Sequence, residues 1–126
     1  VHANTQMKVF LHSDGAIAPL MSSIIEMGVD ILNPIQTSAK GMDAEKLKRE
    51  FGDRLVFWGG SLDCQKTLPF GTPDEVTEEV WEHVRAFAPG GGYVFASVHN
   101  IQANVPPENV IAMFDAVGYP YVLPHA

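Results

Sequence analysis

Three titratable side chains stand where apolar stretches of the sequence end, and their types suit acid–base chemistry. His12 and Asp14 follow the apolar residues 9–11, and His99 follows the apolar stretch 93–98. An imidazole donates or accepts a proton near neutral pH, and a carboxylic acid donates one when its surroundings favour the protonated form. We therefore predict His12, Asp14 and His99 as catalytic residues.

Four more polar side chains occupy corresponding places and suit the binding of a polar substrate. They are Asn33, Gln36, Asp63 and Asn100. The amides do not titrate, so we predict that they contact substrate and do not transfer protons. Asp63 follows two glycines that would allow close approach to a ligand. Turn chemistry explains Asp63 equally well, and Ser13 or Asp14 would also serve as a cap for the helix that follows.

Short apolar stretches that alternate with amphipathic ones must position these residues. The apolar stretches predict strands at 9–11, 31–36, 55–58 and 93–98, the first of them buried on both faces. Helical spacing of apolar residues predicts helices at 16–27, 44–51 and 74–88, and a last helix that begins at 106–109 and ends near 117. A polar linker is predicted between the third strand and the third helix.

Capping residues mark where two of these helices begin. Asp43 is the predicted N-cap of the second helix. Thr72 is the predicted N-cap of the third, with Pro73 at its first position and Glu75 as the acid of a capping box.

Alternation of strand and helix with short connections predicts a parallel α/β sheet. Four such units would form either an open sheet with helices on both faces or an arc of a closed barrel. The carboxyl ends of parallel strands meet at one edge of a sheet, where ligands commonly bind. We therefore expect His12, Gln36, Asp63 and His99 to lie at one end of the sheet and to line one cavity.

Composition bounds the class of protein. The 126 residues form one predicted domain, 1–126, with 46% apolar and 18% charged residues, which is typical of a globular chain. A net charge of -7 argues against nucleic acid as a partner, and the apolar runs are too short to cross a membrane. Cys64 is the only cysteine, so no internal disulfide can form and we predict a cytoplasmic protein.

Six short motifs follow one another in a fixed order along the chain. They are Leu32-Asn33-Pro34-Ile35-Gln36, Phe51-Gly52-Asp53-Arg54-Leu55, Gly59-Gly60, Leu68-Pro69-Phe70-Gly71-Thr72-Pro73, Ala88-Pro89-Gly90-Gly91-Gly92-Tyr93 and Val105-Pro106-Pro107-Glu108-Asn109. Together they resemble the C-terminal half of the uroporphyrinogen decarboxylase superfamily. That superfamily includes the decarboxylases of haem synthesis and methyltransferases that serve corrinoid proteins.

The resemblance implies an eight-stranded (β/α) barrel of the TIM type, to which this chain would contribute four consecutive βα units. It implies decarboxylation at a tetrapyrrole, as in porphyrin biosynthesis, and we predict no cofactor. His99, followed by Asn100, resembles the histidine that lies beside the tetrapyrrole in the decarboxylases, although both glycines that flank it in that family are replaced here. The Arg-rich segment and the catalytic aspartate of the decarboxylases belong to the N-terminal half.

The methyltransferase branch is the alternative that the resemblance leaves open. Those enzymes bind zinc through a His-x-Cys pair and a second cysteine. His12-Ser13-Asp14 matches the pair with Asp in place of Cys, and Gly91 stands near the second position. Zinc that activates a thiol prefers thiolate ligands, so we predict no metal site.

Partners are predicted from the fold and from the resemblance. The expected ligand is a tetrapyrrole or a corrinoid. Four strands of a half-barrel would leave two open edges, so we expect a homodimer or association with an N-terminal half. A non-catalytic half-barrel remnant is the third reading.

Overall fold

Four short strands form one parallel sheet in the computed structural model, which describes residues 1–118. The strands are β1 (Phe10–His12), β2 (Ile31–Asn33), β3 (Val56–Trp58) and β4 (Tyr93–Val94). The helices are α1 (Met21–Glu26), α2 (Ala44–Phe51), α3 (Thr67–Phe70), α4 (Pro73–Phe87) and α5 (Pro107–Asp115), and a 3-10 turn at Ala18–Leu20 precedes α1. The parallel α/β sheet that the sequence predicts is confirmed.

The strand order decides between an open sheet and part of a barrel. The strands neighbour one another in the order β1-β2-β3-β4, and every neighbouring pair is parallel. Crossovers between parallel strands are right-handed, so an order that never reverses puts every connecting helix on the same face. The core agrees, because Leu32 of β2 and Phe57 of β3 pack with Met21 of α1, Leu47 of α2 and Phe87 of α4. This is the arrangement of part of a (β/α) barrel.

Two predicted helix caps are confirmed in atomic detail. Asp43 Oδ1 accepts a hydrogen bond of 2.8 Å from the Lys46 backbone N–H. Thr72 Oγ1 accepts from the Glu75 N–H, and the Glu75 carboxylate accepts from the Thr72 N–H at 2.7 Å. These bonds satisfy N–H groups that the first turn of a helix leaves without partners, which is why α2 and α4 begin where the sequence says they do.

The first predicted helix is shorter than expected, and the cap assigned to Ser13 or Asp14 is wrong. Residues 16–27 divide into a 3-10 turn that begins at Ala18 and the helix α1, and neither element has a side-chain cap. Pro19 lies within the 3-10 turn. Asp14 therefore does not cap a helix, and its carboxylate is available to another partner.

Three other boundaries differ from the predictions. The second strand ends at Asn33 and the fourth at Val94, so the residues that follow each of them are loop. The predicted polar linker contains α3, whose Leu68 is buried. Asn109 of α5 explains α3, because its carboxamide donates to the carbonyl oxygens of Leu68 and Gly71 at 2.9 and 2.8 Å.

The sheet is covered on one face only. Phe10 is 48% exposed and Trp58 37% exposed, so the prediction that the first strand is buried on both faces is wrong. The two rings lie edge to face with centroids 5.4 Å apart. Within the described residues, no helix is long and apolar enough to cross a membrane.

Asp30 fastens the N-terminal segment to the amino end of the sheet. Its Oδ2 accepts a hydrogen bond of 2.7 Å from the Val9 backbone N–H and lies 2.7 Å from His2 Nε2, and Lys8 Nζ is 3.4 Å from Oδ1. The Val9 N–H, followed by His2 and Lys8, holds the pKa of the Asp30 carboxyl below its ordinary value of 3.8.

We expect the Asp30→Asn variant to be less stable than the wild type at pH 7, with a difference that disappears in acid. A carboxyl whose pKa is lowered by folding stabilises the native state above its unfolded pKa of about 3.9 and loses that effect as the pH falls through the folded value. Urea unfolding between pH 7 and pH 2 measures this. Asp53→Asn, at a side chain 80% exposed, is the matched control. A difference that stays constant with pH would contradict the assignment.

Candidate functional site

His12, Asp14 and Asn33 form a hydrogen-bonded cluster at the carboxyl edge of the sheet. His12 and Asn33 are directly paired on neighbouring strands, so their side chains stand on the same face. His12 Nδ1 lies 2.7 Å from Asn33 Oδ1, and His12 Nε2 lies 3.2 Å from Asp14 Oδ2. His12 and Asp14 are both exposed, with side-chain exposures of 57% and 44%, so a ligand can reach them.

Gln36 joins the same edge through the backbone. Its Oε1 accepts a 3.0 Å hydrogen bond from the Gly15 N–H, in the loop that carries Asp14. The loops after β1 and β2 are thereby tied together, and Gln36 orients the Asp14 loop in addition to its predicted contact with substrate.

Asp63 uses its carboxylate in the turn that leads to α3. Its Oδ1 accepts from the N–H groups of Gln65 and Lys66 at 2.7 and 3.2 Å, and its own N–H donates to Glu79 at 2.7 Å. This is the turn chemistry that the sequence offered as an alternative. Substrate binding by Asp63 stays a prediction.

Cys64 lies in the loop after β3, where it is partly buried. Burial raises the pKa of its thiol, and the charges of Asp63 and Asp14 raise it further. A raised pKa favours the protonated thiol over the nucleophilic thiolate.

His99 and Asn100 lie in the exposed loop after β4. The Ser97 hydroxyl donates to the His99 carbonyl at 2.8 Å, and the Gln102 amide donates to the Asn100 carbonyl at 2.9 Å. Within the described residues, neither side chain is hydrogen-bonded to the His12 cluster.

All strands are parallel, so the four residues predicted to share one end of the sheet do follow its carboxyl edge. The two grooves recorded beside His83, of about 520 and 570 Å³, are not lined by any of them, and one shared cavity stays a prediction.

The two glycines after β3 allow neighbouring backbone to approach closely. A Cβ on Gly60 would lie 2.8 Å from the Ile35 carbonyl oxygen, and one on Gly59 would lie 3.1 Å from that of Ser97. Both have positive φ, +93° for Gly59 and +79° for Gly60. They let the end of β3 approach the chain that follows β2 and β4, which draws the polar loops together.

The aromatic pair Phe10 and Trp58 is a feature of this site that the sequence reasoning missed. Phe10 precedes His12 by two residues in β1, so both stand on the same, uncovered face. Period-two alternation within the strand was the signal. The pair offers an apolar wall next to a polar cluster, which suits a planar ligand with polar substituents.

His12 and Asp14 are two titratable side chains within hydrogen-bonding distance of each other. A contact of this kind between an imidazole and a carboxylate suits a general acid or base. Across residues 1–118, no group of three histidine, cysteine, aspartate or glutamate side chains is placed to hold a metal ion.

Comparison with known proteins covers most of the chain. The family model described as uroporphyrinogen decarboxylase (URO-D) matches residues 1–119. Uroporphyrinogen decarboxylase from Psychromonas ingrahamii is 31% identical over 97 residues, which are 77% of this chain and 25% of that protein. The enzyme of the same name from Alkalilimnicola ehrlichii is 35% identical over 66 residues, 52% of this chain and 17% of that protein. The matched part thus spans about a quarter or less of these relatives.

Proposed function

Because this chain belongs to the uroporphyrinogen decarboxylase family, we propose that it forms the C-terminal half of the barrel of an enzyme that removes carboxyl groups from a tetrapyrrole. The observation that carries the proposal is the His12–Asp14–Asn33 cluster, exposed beside an aromatic wall at the edge of a parallel sheet. His12 and Asp14 act as the acid pair, and His99 contacts the substrate.

Decarboxylation of an acetate side chain needs a proton at the carbon that loses carbon dioxide. The bond between that carbon and the carboxylate breaks, and the electron pair stays on the carbon and its ring. The proton shared by His12 Nε2 and Asp14 Oδ2 is transferred to the carbon as carbon dioxide leaves, and water then restores it. Phe10 and Trp58 hold the macrocycle by its apolar surface.

The remaining carboxylates of such a substrate need cationic partners. In the family these come from the Arg-rich segment of the N-terminal half, so the proposal assigns to this chain the proton donor and to that half the carboxylate clamp. Decarboxylation of a porphyrinogen by the complete gene product that carries this sequence tests the function. Methyl transfer from a methylated corrinoid to a thiol, tested in parallel, is the outcome that favours the alternative. The absence of both activities would support a non-catalytic remnant.

We expect less than one zinc per chain after dialysis against a mild chelator. His12 Nε2 and Asp14 supply at most two ligands, since His12 Nδ1 is already bonded to Asn33, and a tetrahedral zinc site needs four. Elemental analysis measures the metal. One retained zinc per wild-type chain that disappears in the His12→Gln variant would contradict this expectation and favour the methyltransferase.

We expect this chain to form a homodimer when it is prepared without an N-terminal barrel half. Phe10 and Trp58 are exposed aromatic side chains on the uncovered face of the sheet, and covering apolar area contributes about 25 cal/mol per Å². Light scattering at micromolar concentration measures the mass. A cooperatively folding monomer would show that the four-stranded sheet is self-contained.

A further inference from the structure

Asn33 has both ends of its carboxamide in use. Its Nδ2 donates a 3.1 Å hydrogen bond to the Trp58 backbone carbonyl on β3, and its Oδ1 lies 2.7 Å from His12 Nδ1 on β1. The side chain of β2 therefore bridges the two strands that flank it. A Cβ on Gly59 would lie 3.6 Å from Nδ2, so the backbone after β3 lies against the amide.

The partners determine which way the carboxamide faces. A carbonyl oxygen only accepts hydrogen bonds, so the amide end that faces Trp58 must be the NH₂ group. Oδ1 then faces His12, and because Oδ1 also only accepts, the proton of this bond belongs to His12 Nδ1. The sheet thus specifies where one proton of the imidazole resides.

That assignment determines what the other ring nitrogen does. With Nδ1 protonated, a neutral His12 would point the lone pair of Nε2 at the Asp14 carboxylate, 3.2 Å away. Two acceptors that face each other repel, so Nε2 and Oδ2 form a hydrogen bond only when a proton lies between them. Without Asn33 the ring could protonate at Nε2 alone and leave Nδ1 as the acceptor.

We propose that Asn33, oriented by the Trp58 carbonyl, is a positioning residue that keeps the proton on His12 Nδ1 and so directs Nε2 and its transferable proton to Asp14 and the substrate. The inference rests on the proposed acid role of His12. It differs from the predicted role of Asn33 in substrate binding. The Oδ1 and Nδ2 atoms of Asn33 are already hydrogen-bonded to His12 and to the Trp58 carbonyl, so Asn33 acts on the reaction through the imidazole.

Long-range ¹H–¹⁵N NMR of the histidine rings tests the proposal without activity. The His12 signals are identified by their loss in His12→Gln. The wild type is expected to show Nδ1 in its protonated form and Asn33→Leu to show a mixture of ring tautomers. Asn33→Asp loses the donor to the Trp58 carbonyl, but both of its oxygens are acceptors, so one still faces Nδ1 and keeps it protonated. Asn4→Leu, at an exposed residue of the N-terminal turn, is the control and leaves the His12 signals unchanged.

An unprotonated Nδ1 in the wild type or in Asn33→Asp overturns the proposal, as do His12 signals that Asn33→Leu leaves unchanged; the wild-type and Asp results decide if Asn33→Leu does not fold. In the complete gene product, Asn33→Leu is expected to lower kcat about 100-fold with little change in KM, because a misplaced acid slows the chemical step. A raised KM with kcat unchanged would instead make Asn33 a substrate-binding residue. If the ring shows the expected tautomers but no decarboxylation is found, the positioning role stands and the proposed function fails.

Discussion

Replacing His12 by glutamine in the complete gene product is expected to lower kcat for decarboxylation by about 100- to 10,000-fold, the usual contribution of a positioned acid or base. Glutamine keeps a hydrogen-bonding group near Asn33 but has no proton to transfer at neutral pH. The proton is needed only as the carbon–carbon bond breaks, so kcat and kcat/KM should fall together while KM changes little.

The matched control is His2→Gln, the same substitution at the opposite end of the sheet. His2 bonds to Asp30, which precedes β2, so this variant should keep the wild-type kcat. Steady-state kinetics with both variants, after circular dichroism has shown that each is folded, measures the difference. A His12→Gln enzyme with undiminished kcat would show that the proton comes from another residue.

Replacing Phe57 by alanine is expected to lower the free energy of unfolding by about 3–5 kcal/mol, the usual cost of removing a buried aromatic ring. Phe57 is fully buried in β3, and its ring lies 5.3 Å from that of Phe87 in α4. Phe87 in turn stacks on Tyr93 of β4, with centroids also 5.3 Å apart. The cavity would therefore open where the sheet meets its longest helix.

Phe70→Ala is the matched control, because Phe70 is 77% exposed at the end of α3. It should change stability by about 0.5 kcal/mol or less. Urea unfolding of the two variants and the wild type under identical conditions gives the comparison. Equal losses for both phenylalanines would contradict the core described here.

Local sequence determined the parts of this fold whose physics is local. Asp43 and Thr72 cap helices through N–H groups three residues away, so composition and spacing within one turn were sufficient to place them. The alternation of apolar stretches with amphipathic ones predicted parallel βα units for the same reason. Helix α3 was missed because no capping side chain begins it and its stability depends on Asn109, about forty residues later in the chain.

Of the candidate site, the sequence determined which residues stand at strand ends, and therefore which edge carries them. The tertiary structure alone decided their contacts. His12 meets Asn33, 21 residues away, because the register of β1 against β2 pairs them, and a shift of one residue would turn every side chain of the strand to the other face. Strand order likewise left one face of the sheet uncovered and exposed Phe10 and Trp58. Register and order follow from the packing of segments distant in sequence, because the free energy that selects them comes from burying several elements at once and not from any single stretch.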